Sequence, residues 1–229
     1  MIERDAAIAR YEEGAIHILH LSAAESVAAV ERARAEGVRI TAEVTPHHLV
    51  LTDDAVSSLD SRFKMNPPLR ASSDREALVA GLRSGAIDCI ATDHAPHSRE
   101  EKEAPFEEAP MGVTGLETAF AVLYTDLVLP GVLSLDLLVE RITAGGGPYG
   151  LRPPGLQKGA PADLCLIDLD ARWTVGEAGY ESRSDNSCFA GRELQGRVLM
   201  TLAAGAVAYR ERGFAIRLAD DPGLARGRA

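Results

Sequence analysis

The segment Thr92-Asp93-His94-Ala95-Pro96-His97 directly follows an apolar run, Ile87-Asp88-Cys89-Ile90-Ala91. That run reads as a buried strand, so a carboxylate and two imidazoles are presented at its carboxyl end. In a parallel α/β arrangement this end opens onto a solvent-accessible mouth, where such groups reach a metal or a substrate. A helix-capping Asp in an ordinary loop would account for a lone Asp-His pair, but not for a stretch this dense in potential ligands. A second candidate, His20, closes the run Ile16-His17-Ile18-Leu19. Imidazole nitrogen and carboxylate oxygen are donors that suit zinc, and catalytic zinc sites keep a further position for water. By residue type and spacing alone a core histidine is the likelier reading of His20. His17 is placed on the opposite face of its strand by the alternation of strand side chains, so His17 and His20 should not chelate one ion. His47-His48, following Pro46, reads as a structural pair in a loop.

These residues need strands and helices to position them. A helix ends near Glu13, and Gly14 breaks it before a first strand over 16–19. Ser22 with Glu25 forms a capping box, Val27 and Val30 supply an apolar stripe, and Gly37 is placed to end that helix. A second strand over 38–44, a long excursion, a helix opened by Ser73 and Glu76 and closed near Gly85, and a third strand over 87–92 repeat the pattern. Strands separated by helices imply parallel pairing with right-handed crossovers. Helices are expected over 116–127 and 135–143, the second capped by Ser134. The tract Gly145-Gly146-Gly147-Pro148 then marks a boundary. Beyond it the texture changes to short strands over 163–167, 173–175, 198–202 and 206–209. The chain thus divides into an α/β portion over 1–150, a small β-domain over 151–212 and a loose, Arg-rich tail over 213–229.

Composition narrows the partners. With 46% hydrophobic residues the 229-residue chain has ample material for a core. A net charge of -10, from 34 acidic and 24 basic residues, argues against nucleic acid or an anionic membrane. Cys89, Cys165 and Cys188 are far apart and form no Cys-x-x-Cys pair, which reads as buried small hydrophobes rather than a zinc ribbon or disulfide framework. No apolar run approaches the ~18 residues of a membrane span, and no basic-then-apolar leader is present, so a cytoplasmic location is expected.

Several of these segments together resemble the dihydroorotases. Ala91-Thr92-Asp93-His94-Ala95-Pro96-His97 is similar to the family's final barrel-strand motif, and Lys64-Met65-Asn66-Pro67-Pro68-Leu69-Arg70 to its substrate-contact loop. Ile16-His17-Ile18-Leu19-His20-Leu21-Ser22, Thr45-Pro46-His47-His48-Leu49, Ala109-Pro110-Met111-Gly112, Gly115-Leu116-Glu117-Thr118 and Phe189-Ala190-Gly191 extend the likeness to about Arg210. The resemblance implies an α/β fold in which a partial metal-dependent-hydrolase TIM barrel, holding the last three strands, is flanked by a small C-terminal β-domain. It implies a cyclic amidohydrolase of pyrimidine biosynthesis interconverting N-carbamoyl-L-aspartate and dihydroorotate. His20 and Asp93 fall on metal-binding positions of a site that is binuclear and zinc-dependent in the complete family. Asp93 would also serve as acid/base, Asn66 and His97 would hold the substrate, and Met111-Gly112 would offer it a backbone contact.

The family's opening His-x-His pair is missing, since the six histidines are His17, His20, His47, His48, His94 and His97. The chain therefore reads as the carboxyl-terminal part of a dihydroorotase, short of a full ligand set. Arg70 does not take the role of the family's carboxylate-binding arginine, which follows the missing pair, and Glu117 reads as a helix N-terminal residue serving the dipole. Two alternatives stay open: a hydantoinase-like or allantoinase-like cyclic amidase, and an inactive structural partner of aspartate transcarbamoylase. Association with that enzyme or with a second copy of the chain belongs to the same set of expectations.

Overall fold

A computed structural model describes residues 1–151 and 155–214. Helix α1 (Ile2–Tyr11) leads into strand β1 (Ala15–Ile18), helix α2 (Ala24–Ala35) and strand β2 (Arg39–Val44). A short helix α3 (Pro46–Val50) follows, then two 3₁₀ turns, helix α4 (Ser72–Ser84) and strand β3 (Cys89–Ile90). The three strands pair in parallel in the order β1-β2-β3, with His17 opposite Thr41 and Glu43 opposite Cys89. Alternation along β2 sends Ile40, Ala42 and Val44 to the helix side, where they are buried with Val27, Val30, Leu78, Leu82 and Ile87. Val30, Ala42, Val44 and Leu82 are wholly excluded from solvent, which places the core between this sheet and helices α2 and α4.

The Ser22–Glu25 capping box does not form. Helix α2 starts at Ala24 with Ala23 as its N-cap, and the Ala24 N–H is taken instead by the Asp74 carboxylate at 2.9 Å. Asp74 lies in the first turn of α4, so one helix supplies the missing acceptor of the other. Helix α4 likewise begins without a side-chain cap, one residue before the expected Ser73. Residues 46–50, expected as loop, form α3, because Pro46 sits at its first turn and Thr45 caps it by accepting from the His48 N–H. The third strand is confined to Cys89–Ile90. The Asp88 carboxylate accepts from the Ala42 N–H at 2.7 Å and pairs with Arg34, adding side-chain contacts to the backbone bond from the Asp88 N–H to the Ala42 carbonyl at 2.9 Å, and together they hold the start of β3 against β2.

After helix α5 (Arg99–Lys102), helix α6 (Ala119–Leu123) runs into a π-helical turn over Tyr124–Val128. That widened turn faces the second sheet: Thr125 exchanges hydrogen bonds with the Gln195 backbone, and Asp126 takes two from Arg192 at 2.8 and 3.0 Å. Helix α7 (Leu135–Thr143) is capped by Ser134, as its sequence implies. The glycine tract forms a 3₁₀ turn over Ala144–Tyr149. The second sheet is antiparallel, in the order β4 (Leu164–Thr174), β5 (Glu193–Ala203), β6 (Ala206–Arg210). The two short strands expected over 163–167 and 173–175 are one strand, β4, interrupted by register shifts after Leu166 and Asp168. Among the described residues no helix is long and apolar enough to cross a membrane. The tail expected over 213–229 lies, apart from Gly213 and Phe214, outside the described residues.

Candidate active site

The carboxyl ends of the three parallel strands bring the chemistry-bearing residues to one side of the sheet. His20 follows β1 by two residues, Thr45 and His47-His48 follow β2, and Asp93 follows β3 by three. His20 and Asp93 both adopt left-handed backbone, with φ of 38° and 47°. Only five non-glycine residues among those described do so, and a side chain in this region is strained unless its surroundings fix it. The strand alternation that separates His17 from His20 ends at Ile18, so His20 is aimed by its own backbone turn. His17 is engaged elsewhere, by Thr41 and Glu43.

Around His20 lies a buried imidazole cluster. The His47 and His48 rings are 4.5 Å apart. His48 is tied at both nitrogens: Nδ1 lies 2.7 Å from the Thr45 hydroxyl, and Nε2 donates to the Pro67 carbonyl at 2.9 Å. Burial pushes its pKa down to about 4; the Pro67 carbonyl and the Asp93 charge oppose that shift, while His20 and Arg70 add to it. His47 is only 2% exposed, and burial, reinforced by His48 and His20, holds its pKa well below the ordinary value. Among the described residues two buried ring nitrogens lack a hydrogen-bond partner, His20 Nδ1 and His47 Nε2. An orphaned buried imidazole nitrogen costs stability unless something absent from the chain satisfies it, and a metal ion is the partner its lone pair suits. From the sequence His47 and His48 read alike, as a structural pair, because nothing in Pro46-His47-His48 distinguishes the tied ring from the open one.

A second cluster forms the wall beside it. His94 turns back into the fold: its Nδ1 accepts the N–H groups of Gly115 and Leu116 at 3.1 and 3.3 Å, a structural role. His97 Nε2 donates to the Met111 carbonyl at 3.0 Å, and the Gly112 N–H donates to the Lys64 carbonyl at 2.9 Å. Gly112 has φ of 130°, and a Cβ there would stand 2.7 Å from Ala95 Cβ and 3.0 Å from His97 Nε2, so only glycine fits. Met111 and Asn66 are exposed at this wall. Residues 64–67 span both clusters, with the Lys64 carbonyl on Gly112 and the Pro67 carbonyl on His48, and Asn66 lies between them at a cis Asn66-Pro67 peptide.

Two supports of this wall have no local sequence signal. Lys102, 8% exposed, donates from Nζ to the carbonyls of Pro110 and Gly112 at 3.0 and 3.1 Å. Asn186 comes from the segment between β4 and β5, and its Nδ2 donates to the Ala95 and Gly112 carbonyls at 3.0 and 3.1 Å while its Oδ1 accepts from the His97 N–H and Ser184. Glu117, expected to serve a helix dipole, instead accepts the Glu181 and Ser182 N–H groups at 3.0 and 2.9 Å and clamps the same segment. Replacing Asn186 by Ala leaves the Ala95 carbonyl without its donor and the His97 N–H without its acceptor, while Lys102 still serves the Gly112 carbonyl, and should cost roughly 1–3 kcal/mol of stability. Urea unfolding of Asn186→Ala against the parent chain measures this, and an unchanged midpoint would remove Asn186 as a strut.

No protein-family model matches the chain. Among curated proteins it is 47% identical over 215 residues to a dihydroorotase of Shouchella clausii, and 44% identical over 211 residues to one of Bacillus cereus. Its relatives by sequence are dihydroorotases. These alignments take in 92% of the chain but 49% of each dihydroorotase, so the chain spans about half the length of the curated relatives it matches. Among solved structures it superposes on an L-hydantoinase from Arthrobacter aurescens with a TM-score of 0.84 at 30% identity, covering 91% of this chain and 48% of that one. A D-hydantoinase from Thermus sp. gives 0.83 at 28% identity over the same shares. The fold is thus a mixed α/β arrangement shared with hydantoinases, whereas sequence identity is higher to the dihydroorotases.

Proposed function

We propose that the chain supplies the carboxyl-terminal part of a dihydroorotase-type active site, with residues 1–150 as the last three strands of a metal-dependent-hydrolase barrel, residues 151–212 as the flanking β-domain and residues 213–229 as a loose tail. The observation that carries this reading is the pairing of two strained strand-end residues, His20 and Asp93, with a buried, unpartnered nitrogen on His20. Imidazole and carboxylate fit zinc, and a metal held there would supply polarisation of the amide carbonyl and acidification of water. Two protein ligands fall short of the three or four a zinc site needs, so the remaining ligands come from the half of the relatives that this chain does not cover.

The reaction is hydrolysis of a cyclic amide: a water oxygen bonds to the ring carbonyl carbon, and the carbon–nitrogen bond breaks. Asp93 takes the proton of the attacking water and returns it to the departing ring nitrogen, acting as base and then acid. Asn66 and His97 hold the polar edge and carboxylate of dihydroorotate, and the Met111-Gly112 turn, fixed by His97, Lys102 and Asn186, lets backbone approach the ring.

The test is co-expression of this chain with the amino-terminal half of the Shouchella clausii relative. The expected result is metal-dependent turnover of dihydroorotate by the pair and none by either part alone. Hydantoin hydrolysis without dihydroorotate turnover would move the reading to the hydantoinases. A stable pair that binds metal and turns over neither substrate would leave a structural role.

A further inference from the structure

The sheet face opposite the helices carries a polar cluster that the proposed reaction does not use. His17 on β1 pairs with Thr41 on β2; Glu43, two residues on and therefore on the same face, pairs with Cys89 on β3. The donor atoms of His17, Glu43 and Cys89 lie within 4.8 Å of one another. The side chains of His17 and Glu43 are 9% and 12% exposed, and Cys89 is fully buried. His17 Nε2 is 3.0 Å from Glu43 Oε2, its Nδ1 is 2.8 Å from Thr41 Oγ1, and Tyr149 stands edge-on to the ring at 5.8 Å.

We propose that His17, Glu43 and Cys89 form a metal site of their own, suited to a divalent ion such as zinc and separate from His20 and Asp93. One nitrogen, one oxygen and one sulfur on tetrahedral zinc stand about 3.3–3.6 Å apart, so the three side chains need only small adjustments. Thr41 provides the orienting contact that metal-bound histidines use, since its hydroxyl oxygen accepts from Nδ1–H and leaves the Nε2 lone pair facing Glu43 and Cys89. Without an ion, a proton must sit between Nε2 and the Glu43 oxygen, because two acceptors at 3.0 Å repel. Cys89 then stays a thiol, its pKa raised to about 11 by burial and by Glu43 and Asp88. An ion reverses both states: the His17 proton moves to Nδ1, the Cys89 proton leaves to solvent, and the ion takes the freed lone pairs. A fourth position is left for water.

The experiment is a cobalt(II) titration of the metal-free 229-residue chain, followed by absorption. A cobalt-bound thiolate gives a near-ultraviolet charge-transfer band that imidazole and carboxylate donors do not, so the band reports this site and is blind to His20 and Asp93. The expected result is a band saturating at one equivalent, displaced by zinc, retained in Asp93→Asn and in Cys165→Ser, and lost in Cys89→Ser. Glu43→Gln, which keeps the shape and loses the charge, should retain the band at saturation with at least tenfold weaker apparent affinity. Absence of the band in the parent chain, or its survival in a folded Cys89→Ser protein, would overturn the site and leave a hydrogen-bonded ladder.

Discussion

In the assembled two-part enzyme, Asp93→Asn should lower kcat by roughly 10² to 10⁴-fold while KM for dihydroorotate stays within a few-fold of the parent. Asparagine keeps the shape of Asp93 and an oxygen donor, but at neutral pH it cannot accept the proton of the attacking water. The loss therefore falls on a step taken only in the transition state. Asn66→Ala and His97→Ala should divide the other way, raising KM with a smaller change in kcat, because groups that hold the carboxylate and ring edge act alike before and during ring opening. His97→Ala also frees the Met111 carbonyl and so loosens the turn beside Gly112. Steady-state kinetics with metal content measured for each variant separates these outcomes. An Asp93→Asn enzyme that retains metal and near-parental kcat would take Asp93 out of the proton-transfer role.

Acid should destabilise the chain before its carboxylates titrate. His48 is pushed from 6.5 to about 4 in the folded protein, chiefly by burial, and His47 shifts in the same direction. The unfolded chain therefore binds protons that the folded chain refuses. The stabilisation is fully present above pH 6.5, declines as pH falls below it, and for His48 is exhausted near pH 4. One unit of pKa difference corresponds to ~1.4 kcal/mol, so His48 alone accounts for about 2 kcal/mol by pH 5 and roughly 3 kcal/mol in total. Urea unfolding at pH 7.5 and at pH 5 measures the slope. His48→Gln, whose amide can still donate to the Pro67 carbonyl, should reduce it and leave the share that His47 carries. A midpoint in the parent chain that does not move over this range would show that the buried imidazoles do not control acid stability.

Where a signal is local, the sequence carries it. Helix α7 is legible to the residue because Ser134 caps it and Leu138 is placed to bury. The strand-end positions of His20 and Asp93 follow from apolar runs that stop at polar residues. What escapes is set by distant partners. The apparent capping box at Ser22 fails because Asp74, fifty positions away, takes the donor. The two short strands in 163–175 merge because β5 pairs along both, and a bulge in the middle looks like a break to a reader of one strand. The open nitrogen of His47 and the tied ring of His48 are indistinguishable in a His-His pair, since the difference lies in Thr45 and Pro67. The same holds for the His17–Glu43–Cys89 face, whose members are spaced by strand register and not by any motif.

The Asn186 contacts bear on how such chains can be recombined. By topology, the glycine tract at 145–147 is an inviting crossover point, with the parallel sheet on one side and the antiparallel sheet on the other. Yet Asn186, encoded well past that point, holds carbonyls 91 and 74 residues upstream. A chimaera joined at the tract would graft a foreign strut beneath its own substrate turn. A donor segment lacking an amide at this place would tilt the Gly112 loop without altering one residue of it. Shuffling schemes that treat the β-domain as an interchangeable accessory should therefore keep residues 181–192 with the parent of the mouth, and move only the outer strands.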